Sequence, residues 1–153
     1  GIWLNTQRPE WNDANNALAG YGLSVVTTCY LQRFLKELIL IYESANQSSF
    51  TMPVEIASCF TNLGKVFAKY DAEKTAKDAA LRFDFAKETG LIFEEERNNL
   101  YKNAYGNQIT SVQKDEIVSI LQGIQNHIKN TLLKNNIQQD IHRVNSSIYS
   151  VFY

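Results

Sequence analysis

The amino-acid sequence predicts an all-α protein of four or five helices, arranged as an antiparallel bundle or as part of an α/α toroid. Three observations carry this. Apolar residues recur at steps of three and four through most of the chain, the period of an amphipathic helix. No stretch shows the sustained alternation of a half-buried strand. The breaks between periodic segments are short, which favours antiparallel neighbours. The 153 residues suit one domain, 1–153, that buries roughly 70% of the surface its unfolded chain exposes.

Taken in order, residues 1–15 hold Trp3, Pro9, Trp11 and several asparagines without a period, and read as an ordered loop leading to a helix start. From about Asn16 to Ser44, Leu18, Tyr21, Val25, Cys29, Leu35, Leu38 and Tyr42 form a helical stripe, with Asp13, Asn15 and Asn16 as candidate caps. Gly20 and Gly22 in its first turns each cost about 1 kcal/mol against alanine, so a close neighbour, helix or ligand, is expected there. Ala45 to Phe50 reads as a loop. Thr51-Met52-Pro53 then opens a second helix, with proline in the first turn where its missing donor is not needed. Its inward face is Val54, Ala57, Phe60, Leu63, Phe67 and Tyr70. A third helical stretch, Ala72 to Tyr105, has apolar positions at Ala76, Ala80, Phe83, Leu91, Leu100, Tyr101 and Ala104, with a break expected near Thr89-Gly90. Gly106-Asn107 ends it. Thr110 and Gln113 make a capping-box pattern for a fourth helix to about Asn135, striped by Ile117, Leu121, Ile124, Ile128 and Leu132, with Gly123 in mid-course. Helices thus occupy 16–136. In the tail, 137–153, Asn145-Ser146-Ser147 reads as a turn, followed by strand or helix. No internal repeat is apparent.

A net charge of −1 gives no electrostatic case for nucleic acid or an anionic membrane. No apolar run approaches the ~20 residues that span a bilayer. No secretory signal is visible, and a cytoplasmic location is expected. The only methionine is Met52, the chain starts at Gly1, and it stops on the aromatic run Ile148 to Tyr153. It reads as a piece of a larger protein. Cys29 and Cys59 lie on predicted helices without metal-ligand spacing and are expected as buried free thiols.

Among chemistry-bearing groups, Glu94-Glu95-Glu96 reads as a solvated helix face. Asp140 beside His142 and Arg143 reads as a surface pair, and His127 as an exposed residue on the polar side of the fourth helix. No zinc spacing, phosphate loop, nucleophile elbow or calcium loop is present, so no metal or cofactor is expected. The remaining cluster is Arg8-Pro9-Glu10-Trp11-Asn12-Asp13. Two readings compete for it. As a helix start, Asp13 or Asn15 accepts first-turn amide hydrogens, Trp11 anchors in the core and Arg8 pairs with Glu10. As a saccharide site, the indole stacks on a pyranose, the amides read hydroxyls and a carboxyl donates a proton to the leaving oxygen. The two conflict, because helix amides lower a carboxyl's pKa while a general acid needs it raised. On that ground Glu10 beside Trp11 is at least as good an acid as Asp13.

Trp11-Asn12-Asp13, preceded by Glu10 and followed by Asn15, resembles the Asp-Trp-Asn-Asp-Gly-Met-Asn motif of cellobiose and chitobiose phosphorylases, (α/α)6-barrel enzymes acting on β-glucosides. The match covers about ten residues. Glu10 stands where that family has Asp, Pro9 replaces a Gly, and Ala14-Asn15 replaces Gly-Met. The resemblance implies Asp13 as general acid and inorganic phosphate as nucleophile; the saccharide reading of the cluster adds Glu10 as helper or alternative donor and Trp3, Trp11, Asn12 and Arg8 as sugar contacts. A full (α/α)6 barrel has more helices than this chain offers. The implied object is a slice of a toroid from a carbohydrate-active protein, glycoside hydrolase or phosphorylase-like. Such a slice is expected to be silent alone, since the displacement needs groups from elsewhere in the barrel. The alternative is a helical interaction or structural domain without chemistry. Expected partners are a saccharide and, through exposed apolar faces, further copies of the chain.

Overall fold

The computed structural model describes residues 25–103 and 106–134. Among these residues the protein is all-α apart from one small ribbon. Its helices are α1 (Val25–Ser44), α2 (Val54–Lys69), α3 (Ala72–Lys77), α4 (Ala79–Asn103) and α5 (Lys114–Lys134), and its strands are β1 (Ser49–Pro53) and β2 (Ile109–Gln113). Helix α5 is the hub, packing against α1, α2 and α3, while α4 lies against α2 and α3. The core gathers Leu35 and Ile39 from α1, Ala57 from α2, Val112 from β2, and Ile117 and Leu121 from α5. Leu35, Ala57, Ile117 and Leu121 are positions of the expected helical stripes, while Ile39 and the strand residue Val112 are additions to them; burial of such apolar faces supplies most of what holds amphipathic helices together in water.

The ribbon is a departure from helical periodicity. β1 and β2 pair antiparallel, with Ser49 opposite Gln113 and Pro53 opposite Ile109. Phe50 and Met52 point inward from β1, Thr110 and Val112 from β2, which is period two over five residues each. Thr51 and Met52 therefore do not open a helix, and α2 starts at Val54, after Pro53 has closed the strand. Thr110 and Gln113 do not form a capping box; α5 starts at Lys114, with Asp115 and Glu116 facing the positive end of its dipole. Proline is tolerated here because its place is the last residue of an edge strand.

The ribbon also relates two halves of the chain. The Val54 N–H donates to the Gln108 carbonyl at 3.1 Å, and the Lys114 N–H donates to the Ser48 carbonyl at 2.8 Å. Equivalent positions lie 60 residues apart, as Ser48 and Gln108 or Val54 and Lys114 do. An approximate twofold axis passes by the central pair Thr51 and Ser111. The helix–strand–helix unit α1-β1-α2 is thus repeated as α4-β2-α5, with α1 resting on α5 and α4 on α2. The sequence carries no visible repeat because the two units fill equivalent positions with different side chains, Ala57 against Ile117 and Phe67 against His127.

The third helical stretch breaks at Asp78, not at Thr89-Gly90. The Asp71 carboxylate accepts from the Lys74 amide at 2.8 Å, capping α3. Asp78 accepts from the amides of Ala80 (2.8 Å) and Leu81 (3.0 Å), capping α4. The break resets the helical phase, so the expected apolar line does not continue across it. Phe85, Thr89 and Ile92 turn inward, while Phe83, Leu91, Leu100 and Tyr101 face out. α4 runs straight through Gly90, where a Cβ would meet nothing within 4 Å.

Two glycines therefore answer the same substitution with opposite sign. Gly90→Ala is expected to stabilise the fold by about 1 kcal/mol through helix propensity alone. At Gly64 a Cβ would stand 2.5 Å from Ile120 Cγ1 and 2.7 Å from Cδ1, where α2 crosses α5. Overpacking there costs about 1–3 kcal/mol, at or above the propensity gain, so Gly64→Ala is expected to lower stability. Urea midpoints of the two variants check this; movement in the same direction would contradict it.

Candidate functional site

The densest polar and aromatic cluster lies where the end of α2 meets α4 and α5. His127 of α5 stacks on Phe85 of α4, with ring centroids 4.8 Å apart and planes 9° from parallel. It meets the edge of Phe67 at 5.1 Å, and Phe67 and Tyr70 both set their rings at steep angles to Phe85. The His127 Nε2 lies 2.9 Å from the Tyr70 carbonyl and 3.3 Å from the Phe67 carbonyl. Both partners are acceptors, so Nε2 carries the hydrogen and donates to the carbonyl end of α2. Burial pushes the imidazole below its ordinary pKa, outweighing the upward pull of those carbonyls and of Asp71.

His127 is therefore buried, not exposed on a polar face. The signal was present in the spacing: it stands seven residues after Ile120 and three after Ile124, on the edge of the same helical stripe. Beside it, Glu88 of α4 accepts from Lys69 Nζ at 2.6 Å and from the Tyr70 hydroxyl at 2.7 Å. Those two donors hold its carboxyl below the usual range. The Nε2 hydrogen and the Glu88 carboxylate are committed to neighbours. This is the chemistry of a structural latch, binding α2, α4 and α5 at one point.

The other reactive groups among the described residues are buried or tied to neighbours in the same way. Cys29 and Cys59 are free and half-buried. Burial raises both thiol pKa values, and the charge of Glu96 raises Cys59 further, so neither is poised as a thiolate. Glu96 departs from the solvated run expected of it: Glu94 and Glu95 are exposed, but one Glu96 oxygen is enclosed without a partner. Glu55 accepts from the Gly106 amide at 2.9 Å, tying α2 to the turn before β2. Its own amide and that of Gly106 lower its pKa.

Paired helix–loop–helix units can cradle calcium, but through acidic side chains spaced along the loop. Here 45–48 reads Ala-Asn-Gln-Ser and 106–108 reads Gly-Asn-Gln. Among the described residues no three His, Cys, Asp or Glu side chains gather as a metal would require. A shallow cavity of about 200 Å³ between α2 and α5, lined by Gly64, Phe67, Ala68, Ser119, Ile120 and Gly123, is smaller than the ~300–1,000 Å³ of typical ligand pockets.

Trp3, Arg8, Glu10, Trp11, Asn12 and Asp13, the residues predicted to bind and act on a sugar, lie outside the described residues, as do Gly20, Gly22, Asp140 and His142. No helix among the described residues is long and apolar enough to cross a membrane. What the described surface does offer is exposed apolar side chains on α1 and α4. Tyr30, Phe34 and Ile41 on α1 are each about 60% exposed, and Phe83 and Tyr101 on α4 more so, at 68% and 81%. In comparisons with known proteins, no family model and no curated protein matches the chain.

Proposed function

We propose that the chain is a helical interaction domain without a catalytic role, engaging a protein partner through the outward apolar side chains of α1 and α4. The observation that carries this reading is the exposed apolar face of α1, where Tyr30, Phe34 and Ile41 fall on one side of the helix. On α4, Phe83 and Tyr101 share one face with Leu91 and Phe93 to either side of it, each more than half exposed, and monomeric surfaces rarely carry large contiguous apolar patches without a use. A photo-crosslinking residue placed at Phe83 or Phe93 of the full chain should yield a discrete crosslinked species. That species should disappear in Tyr101→Ser while the melting temperature stays unchanged. No crosslink at either position, or a melting temperature several degrees lower in Tyr101→Ser, would assign these α4 side chains to folding instead.

A second reading rests on Glu10-Trp11-Asn12-Asp13: a carbohydrate-active fragment, with Asp13 as proton donor, Glu10 beside it, and Trp3, Trp11, Asn12 and Arg8 holding a saccharide. Calorimetric titration of the full chain with cellobiose tests it. Binding that is lost in Trp11→Ala supports the reading; no heat with either protein removes it.

A further inference from the structure

Helix α1 carries two stripes. Leu35 and Ile39 turn toward the core shared with α5. On the opposite side Tyr30, Arg33, Phe34, Glu37, Leu40 and Ile41 succeed one another at steps of three, one, three, three and one. This is the spacing of a helix–helix seam, gathered within about a third of the helix circumference. All six side chains are exposed. The seam is apolar except at its middle, where Arg33 and Glu37 stand one turn apart with no salt bridge to any described residue. The Arg33 guanidinium lies 5.9 Å from the Tyr30 ring centre.

We propose that this face is a self-complementary interface on which a second copy of the chain docks its own α1, antiparallel. The charges choose both occupant and direction. With a twofold axis level with Leu35, Arg33 of each copy comes opposite Glu37 of the other, and Tyr30 comes opposite Leu40. Two ion pairs then sit at the centre, bracketed by apolar pairs. Parallel pairing would set Arg33 against Arg33 and Glu37 against Glu37, which like charges oppose. A single helix pair covers less than the roughly 1,200 Å² of a standard interface, so the dimer is weak and concentration-dependent. This inference rests on the interaction reading above and assigns the α1 face within it.

The test is sedimentation velocity of the full chain across a concentration series, for the native protein, Arg33→Glu, Glu37→Arg and the double exchange. A reversible dimer is expected for the native chain. Each single reversal, which places two like-charge pairs at the centre, should weaken it by about tenfold or more, a change of ~1.4 kcal/mol. The double exchange should restore it. A monomer at every concentration, a dimer indifferent to the single reversals, or a double exchange that restores nothing each overturns the proposal. A native monomer that still crosslinks from α4 removes this face alone. A charge-sensitive dimer without α4 crosslinks keeps this face and removes only the part of the wider reading that assigns α4.

Discussion

Replacing His127 with alanine should lower the unfolding free energy by about 3 kcal/mol. The ring leaves a stacked contact with Phe85 and an edge contact with Phe67, pairs worth about 0.5–1.5 kcal/mol each beyond their area. The Phe67 and Tyr70 carbonyls lose their donor, and a buried acceptor left unpaired costs about 1–3 kcal/mol. His127→Phe separates the two effects, keeping the rings and removing only the donor, and should cost less. The same substitution tests a pH dependence. Because the folded imidazole titrates below its ordinary value of 6.5, the unfolded chain takes up a proton first as pH falls. Stability should therefore begin to drop below about pH 6.5 and level off once the folded pKa is passed. Glu88 and Glu55 are held below the ordinary carboxylate value of 4.5 and lose their contribution only in a more acid window. Urea unfolding of the native chain and of His127→Phe between pH 7.5 and 5 separates the contribution of His127 from that of the other histidine, His142. A slope in that range that survives unchanged in His127→Phe would show that another group titrates there.

Ile117→Ala should cost about as much or more, in the 2–5 kcal/mol range of buried large-to-small changes. Ile117 is 2% exposed, the largest side chain to be fully enclosed among the described residues. It lies where Leu35 and Ile39 of α1, Ala57 of α2 and Val112 of β2 converge. A void there touches both halves of the chain at once. Ile117→Val, which removes one methylene, should cost about 1 kcal/mol. Denaturant midpoints check the series, with an unchanged slope as evidence that the native state stays compact. A cost below 1 kcal/mol for alanine would mean that the neighbours collapse into the space.

The helices were legible because their apolar spacing is long enough to register: Ala57, Leu63, Ile117, Leu121 and Leu132 are buried where the stripes put them. The ribbon was not, because five residues of alternation flanked by helical patterns offer only two inward positions per strand. Thr110 and Gln113 fit a cap by residue type, yet backbone pairing across 60 residues decided their conformation. On α4 the error was of phase. Asp78 looked like one polar residue among several, but its carboxylate starts a new helix, and every inward position after it shifts. His127 was misjudged by residue class. An imidazole whose N–H reaches the carbonyl end of a helix can be buried with its donor satisfied. The residues expected to form a saccharide site, Glu10 to Asp13 among them, lie outside the described residues.

The exchange of backbone bonds between Ser48, Val54, Gln108 and Lys114 has a consequence for how the molecule comes apart. Neither unit completes its own edge: each strand's only partner among the described residues, and the amide that follows it, are satisfied by the other. Stability is therefore held in common, and the folded and unfolded populations should interconvert without a half-folded species. A protease nick at the exposed Asp78–Ala79 junction would sever the covalent tether while leaving the shared ribbon and helix contacts in place. The severed pieces should then remain clasped, as complementing fragments do.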